Sequence, residues 1–167
     1  MKAKNPENLR EHIKYLFDLG IKDLNCIDVS SIVDFSNLFK EMRNLQDLQI
    51  DEWDVSNGQI FTSMFEGCKD FNSDISKWNM CNAEQCYNMF NGCHRFNCDL
   101  SGWKLPKLRD ATNMFANCTD FNADLSDWRL PNVYDVTYMF ANCKKFDKSC
   151  VEKWGISTRT QGYYSMG

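Results

Sequence analysis

The feature that most constrains this chain is a repeat with a period of 25 residues. Residues 53–77 read WDVSNGQIFTSMFEGCKDFNSDISK and residues 78–102 read WNMCNAEQCYNMFNGCHRFNCDLSG. Residues 103–127 and 128–153 continue in the same register. Trp53, Trp78, Trp103 and Trp128 open the units, and Met64-Phe65, Met89-Phe90, Met114-Phe115 and Met139-Phe140 follow. Cys68, Cys93, Cys118 and Cys143 form the next column, and Phe71, Phe96, Phe121 and Phe146 the one after. One such unit cannot bury its apolar face alone, so a fixed period of this size predicts a solenoid of stacked coils.

Each unit carries three spaced apolar positions, as in Ile50/Trp53/Val55, Ile75/Trp78/Met80, Leu100/Trp103/Leu105 and Leu125/Trp128/Leu130. Val151/Trp154/Ile156 extends the series. This is leucine-rich-repeat spacing, and the alternation of the last two positions predicts a short strand. A helix of two to three turns is expected next. Leu108, Ala111, Met114 and Phe115 share one helical face behind Pro106, as do Val133, Val136, Met139 and Phe140 behind Pro131, and Ser56 suits an N-cap. Gly67, Gly92, Asn117 and Asn142 then accept the left-handed conformation that ends a helix. The fold class expected is therefore α/β: a leucine-rich-repeat-like solenoid of five to six coils, with short parallel strands on one face and short helices on the other.

The whole of residues 1–167 reads as one domain. Residues 1–23 form an N-terminal helical cap, residues 24–156 the repeats, and residues 157–167 a tail or cap. Asn5, Pro6 and Gly20 bracket a helix whose stripe is Leu9, Ile13, Leu16 and Phe17. A solenoid exposes an apolar end, which an atypical terminal unit covers. A degenerate first unit follows, with Ile27 in the Trp column, Leu38-Phe39 for Met-Phe, Met42 for the cysteine and Leu45 for the phenylalanine. It is one residue longer, with the slack between Leu45 and Ile50.

The pattern W-D-V-S…M-F-x-G-C-x-x-F-N-x-D-I-S, carried by residues 53–56, 64–68 and 71–76 and repeated in later units, resembles the BspA-like leucine-rich-repeat surface proteins. Related repeats occur in mycoplasmal lipoproteins. The resemblance covers residues 24–154. It implies a solenoid with a short parallel sheet and a role in adhesion and protein contacts rather than catalysis.

No chemistry competes with that reading. His12 and His94 are the two histidines, and His94 stands where other units carry Lys69, Thr119 and Lys144, a solvent column. Cys81, Cys86, Cys93, His94 and Cys98 are spaced more widely than structural zinc ligands. The return-loop columns Asn72/Asn97/Asn122, Asp74/Asp99/Asp124 and Ser76/Ser101/Ser126 fit hydrogen bonding to loop backbone better than a calcium site, which needs its oxygens at one point. No metal, no cofactor and no catalytic residue is expected, and the chain is read as a non-enzyme. Nine cysteines is an odd count with four in one repeat column, which favours buried reduced thiols over disulfides. A net charge of −4 argues against nucleic acid. No apolar run reaches the roughly 18 residues of a membrane span, and no leader pattern opens the chain, so a cytoplasmic location is expected.

Function is then expected where columns vary. Asp28, Asp54, Asn79, Lys104 and Arg129 follow the Trp position and pass from acidic to basic along the stack. Glu52, Lys77 and Asp127 precede it. On the strand reading these residues face away from the core and form the partner-binding face. Trp53, Trp78, Trp103, Trp128 and the four column cysteines form a structural ladder. The function expected is a non-catalytic protein-binding module of inhibitor, immunity or adaptor type, monomeric or weakly self-associating. The alternatives are a self-assembling or surface-adhesion repeat protein, and a cysteine-based redox or zinc-binding protein.

Overall fold

The period of the sequence reappears in space as a hydrogen-bond register. The computed structural model describes residues 6–154; the expected cap Asn5, Ile156 and the tail 157–167 lie outside the described residues. The N–H groups of Phe61, Ser63, Phe65 and Gly67 donate to the carbonyls of Gln85, Tyr87, Met89 and Asn91 in the next coil, at 2.8–2.9 Å. Between them, Met64, Glu66 and Cys68 donate to Phe61, Ser63 and Phe65 three residues back, at 3.0–3.2 Å. Every second residue thus links to the neighbouring coil, and the residues between close turns within their own. The same alternation joins Phe90 to Met114 and Phe115 to Met139.

This corrects the expected α/β architecture. Among the described residues there is one α-helix, α1 (Pro6–Asp18), one short 3-10 helix (Lys148–Trp154), and no extended strand. Coils touch through isolated parallel bridges, Asp34↔Ile60, Ile60↔Gln85, Gln85↔Asp110 and Asp110↔Asp135. These bridges lie in the segment read as helix. The physical reason is backbone handedness. Ser63 and Gly67 adopt φ of 55° and 74°, and Asn88/Gly92, Asn113/Asn117 and Tyr138/Asn142 repeat the pair. A left-handed residue every fourth position stops a right-handed helix after each turn. The left-handed conformation expected at Gly67, Gly92, Asn117 and Asn142 is present, but no helix precedes it, and Ser56 caps none.

The expected strand is a turn as well. Trp53 N–H donates to the Ile50 carbonyl at 3.2 Å, and Trp78, Trp103 and Trp128 repeat this with Ile75, Leu100 and Leu125. Each indole N–H then reaches the previous coil: Trp53 to the Leu24 carbonyl, Trp78 to Ile50, Trp103 to Ile75 and Trp128 to Leu100, all at 2.9–3.1 Å. An indole is the one large apolar side chain that also carries a donor able to satisfy a buried carbonyl. That makes it the residue suited to a column where turns leave carbonyls unpaired in the core.

Aromatic columns fill the interior. Phe39, Phe65, Phe90, Phe115 and Phe140 stack at 5.1–5.6 Å between ring centroids. Phe71, Phe96, Phe121 and Phe146 stack beside them at 5.6–6.0 Å. Coil one is longer by one residue than coils two to four: Phe39 pairs with Phe65 across 26 positions, whereas Ser73 Oγ reaches the Leu48 carbonyl across 25.

α1 closes the N-terminal end. Leu9 and Ile13 are buried while Leu16 and Phe17 pack part-buried against the core. Gly20 (φ 78°) stops the helix, its N–H on the Phe17 carbonyl and that of Ile21 on Leu16. The Arg10 guanidinium donates to the Asn37 carbonyl, which also closes its own turn with Lys40 N–H, and to the Lys40 carbonyl, which has no earlier coil to serve. The opposite edge differs. There the N–H groups of Val136, Tyr138, Phe140 and Asn142 find no carbonyl acceptor among the described residues.

Candidate functional site

The bridged segment of each coil presents two outward columns and buries one residue between them, Phe35, Phe61, Cys86, Ala111 or Val136, beside the half-buried or exposed bridge residue. Val33, Gln59, Glu84, Arg109 and Tyr134 form one column, and Ser36, Thr62, Tyr87, Thr112 and Thr137 another. Most of these positions carry small or polar side chains, but tyrosines break the pattern. Tyr134 is 68% exposed, Tyr138 47% and Tyr87 39%. Arg109 lies between the Tyr134 and Glu84 coils, its Nε 3.7 Å from the Glu84 carboxylate. Tyr138 also holds a left-handed φ of 55°, where the same column has Asn37, Asn88 and Asn113. Asparagine adopts that conformation readily and a bulky side chain does not. A strained, exposed tyrosine is thus present where a cheaper residue serves elsewhere.

Sequence reasoning passed over these three tyrosines, since it placed them on helices. The available signal was the column itself: a large aromatic among Thr, Gln and Asn counterparts. The residues expected to bind are placed differently. Asp28, Asp54, Asn79, Lys104 and Arg129 are exposed, as are Glu52, Lys77 and Asp127, but on turns rather than on strands. Asp28 and Asp54 accept from the N–H of Ser30 and Ser56 at 3.0 Å, and Asn79 from Cys81 at 3.1 Å. The Ser56 hydroxyl and N–H hold the Asp54 carboxyl below the ordinary range. Half of the column therefore serves its own turns. Arg129 donates to the Ser126 and Trp128 carbonyls at 3.0 and 2.8 Å.

The loop columns bond backbone throughout. Asp74, Asp99 and Asp124 accept from Ser76, Ser101 and Ser126 N–H at 2.9 Å. Asn72 accepts from Asn97 N–H, and Asn97 from Asn122, at 2.8 and 2.7 Å. No group of three or more His, Cys, Asp or Glu among the described residues is arranged to hold a metal. A hollow of about 730 Å³ beside coil one is lined by Glu41, Met42, Arg43 and Lys69 among others, and gathers no nucleophile–base pair.

The cysteine column faces inward. Cys68, Cys93, Cys118 and Cys143 are free and buried, and each thiol donates to a phenylalanine carbonyl of the preceding coil at 2.9–3.0 Å. Burial pushes Cys68 and Cys143 up to about 12 and Cys93 and Cys118 well above the ordinary thiol range. A folded-state value raised in this way favours the neutral thiol. Its stabilisation is complete below the unfolded thiol's value of about 8.5 and is lost as pH rises toward 12. Each such thiol removes about 1.4 kcal/mol per pH unit across that window. The urea midpoint of the reduced protein is therefore expected to fall steadily from pH 9 to pH 11. A midpoint flat over that range would show that the thiols are not buried.

Among the described residues no helix is long and apolar enough to cross a membrane. A family model described as "Mycoplasma protein of unknown function, DUF285" matches residues 8–121 and again residues 103–166. No curated protein and no solved structure matches the chain.

Proposed function

The chain belongs to this DUF285 family of Mycoplasma proteins of unknown function, and we propose that it is a non-catalytic module that binds a partner protein. The observation that carries the reading is the trio Tyr87, Tyr134 and Tyr138, exposed on the bridged face of a rigid stack. Tyrosine and arginine are enriched at the energetic centres of protein interfaces, tyrosine because it brings large area with few rotatable bonds and arginine because its planar guanidinium offers a fixed fork of donors. Here they stand on a backbone tied coil to coil, so little ordering is left to offset on binding. The resemblance of the repeat to BspA-like proteins, a family of adhesion and protein contacts, supports the same reading. The bridged face replaces the Asp28-to-Arg129 column as the favoured surface, because the acidic half of that column is engaged in its own turns.

The test uses residues the fold already accepts. Tyr87→Thr, Tyr134→Gln and Tyr138→Asn each install the side chain that another coil carries in the same column. The triple variant keeps the coil chemistry and relieves the left-handed tyrosine. Full-length protein immobilised against lysate of the source cell is expected to recover one protein in stoichiometric amount. The triple variant loses it and Lys104→Glu/Arg129→Glu retains it. Loss only with the second variant would move the site to the turn column, and recovery of nothing by the wild type would remove the reading.

A further inference from the structure

Resting on that protein-binding reading, we propose that the bridged face is built for a basic, arginine-bearing segment of the partner. Four carboxylates stand among its columns, Asp34, Glu84, Asp110 and Asp135, against the single guanidinium of Arg109. Asp110 and Asp135 are bridged directly across adjacent coils. Parallel neighbours lie about 4.8 Å apart, so the two acidic positions follow one another along the face. The fold holds each in place through its own turn, since Asp110 accepts from Thr112 N–H at 2.9 Å and Asp135 from Thr137 at 2.8 Å. Neither bond neutralises the pair. A guanidinium from outside does so, and it takes two parallel hydrogen bonds from a carboxylate where an ammonium acts as a point charge.

The tyrosines fit the same occupant. Tyr134 stands one coil beyond Arg109 in the same outward column, with Asp135 next in sequence. Cations are attracted to the faces of aromatic rings, arginine more often than lysine. An acidic surface with no exposed aromatic attracts any cation through salt-screened charge; an acidic surface with tyrosines also retains arginine where charge is screened. Lys107 stands beside Arg109, its Nζ donating to Asn82 Oδ1 at 2.7 Å, while Lys77, Lys104 and Arg129 flank the Trp positions and Lys69, Lys144 and Lys145 lie near the return loop. With four carboxylates against Arg109 and Lys107, the bridged face stays acidic.

Fluorescence anisotropy of the full chain with labelled (Arg-Gly)6, (Lys-Gly)6 and (Glu-Gly)6 peptides tests this. The arginine peptide is expected to bind at least fivefold tighter than the lysine peptide, and the glutamate peptide not at all. Asp110→Asn/Asp135→Asn keeps both turn caps while removing charge, and is expected to weaken the arginine peptide about tenfold. Tyr87→Thr/Tyr134→Gln is expected to abolish the arginine-over-lysine preference. Asp74→Asn/Asp99→Asn, the same charge change on the return loop, leaves affinity within twofold. Equal weakening by both carboxylate pairs means general charge attraction and overturns the inference. So does a tyrosine-dependent dimer of the chain itself, which makes a second copy the occupant. A cellular partner captured through the tyrosines but indifferent to Asp110→Asn/Asp135→Asn keeps the protein-binding reading and sinks the basic partner.

Discussion

Phe90→Ala is expected to lower stability by about 3–5 kcal/mol, the cost of emptying a fully buried aromatic site. Phe90 is 0% exposed and stands at the crossing of both phenylalanine columns. Its ring lies 4.2 Å from Phe96, 5.6 Å from Phe65 and 5.6 Å from Phe115, with Trp103 at 6.4 Å. In a globular core, neighbours relax into part of such a cavity. Here the neighbours are themselves held by the coils above and below, so collapse at one coil drags two others out of register. Phe140→Ala at the last full coil is expected to cost less, since among the described residues Trp154 at 6.1 Å covers its far side but no phenylalanine of a following coil stacks on it. Urea unfolding at neutral pH, followed by tryptophan fluorescence, checks both. Equal loss for the two variants would mean the columns do not share load along the stack.

Gly58→Leu is expected to lower stability by roughly 1–3 kcal/mol or more, and a second substitution is expected to restore at least half of the loss. A Cβ at Gly58 would meet Phe61 Cζ at 2.4 Å, Phe61 Cε2 at 2.9 Å and Phe35 Cε2 at 3.0 Å. Its φ is not in the left-handed region, so space and not backbone demands glycine. The other coils show how the volume is traded. Ala83 stands before Cys86, and Leu108 before Ala111, so one member grows as the other shrinks. Gly58→Leu/Phe61→Ala therefore copies the arrangement at Leu108 and Ala111. The single variant overpacks a tight core, at roughly 1–3 kcal/mol or more, and the double variant is expected to recover at least half. It also removes the ring stacked 5.1 Å from Phe35, so recovery is not complete. A double variant worse than the sum of the two singles would rule out volume compensation.

The stacking was legible in the sequence because a column residue needs only the period to be placed. Trp78 and Phe90 must find Trp53 and Phe65 whatever the backbone does between them, and they do. The backbone was not legible, because successive three-residue turns produce the same apolar spacing as a helix. Leu108, Ala111, Met114 and Phe115 are helix-like in spacing, yet Met114 N–H closes a turn on Ala111 while Phe115 N–H leaves for Met139. Asn88 followed by Gly92, and Asn113 followed by Asn117, was the contrary signal: two residues tolerant of positive φ four apart inside a supposed helix. The strand reading failed for a related reason. Ile50 and Trp53 are three apart because a turn brings them together, not because a strand alternates. With the helices went the candidate face, and the exposed tyrosines became visible only once the bridges fixed which side of each coil looks outward.

The cysteine column has a consequence for how the stack comes apart. Coils two to five each hold one sealed thiol of the repeat column, Cys68, Cys93, Cys118 and Cys143, and coil three holds Cys86 besides. Repeat arrays are held by nearest-neighbour interfaces, and such arrays open in segments rather than all at once. A thiol reagent added to the native protein meets each of these cysteines only when its own coil has parted from the one before. The order in which the four become modified is a clock with one hand per coil, and it reads out at which end of the stack fraying begins.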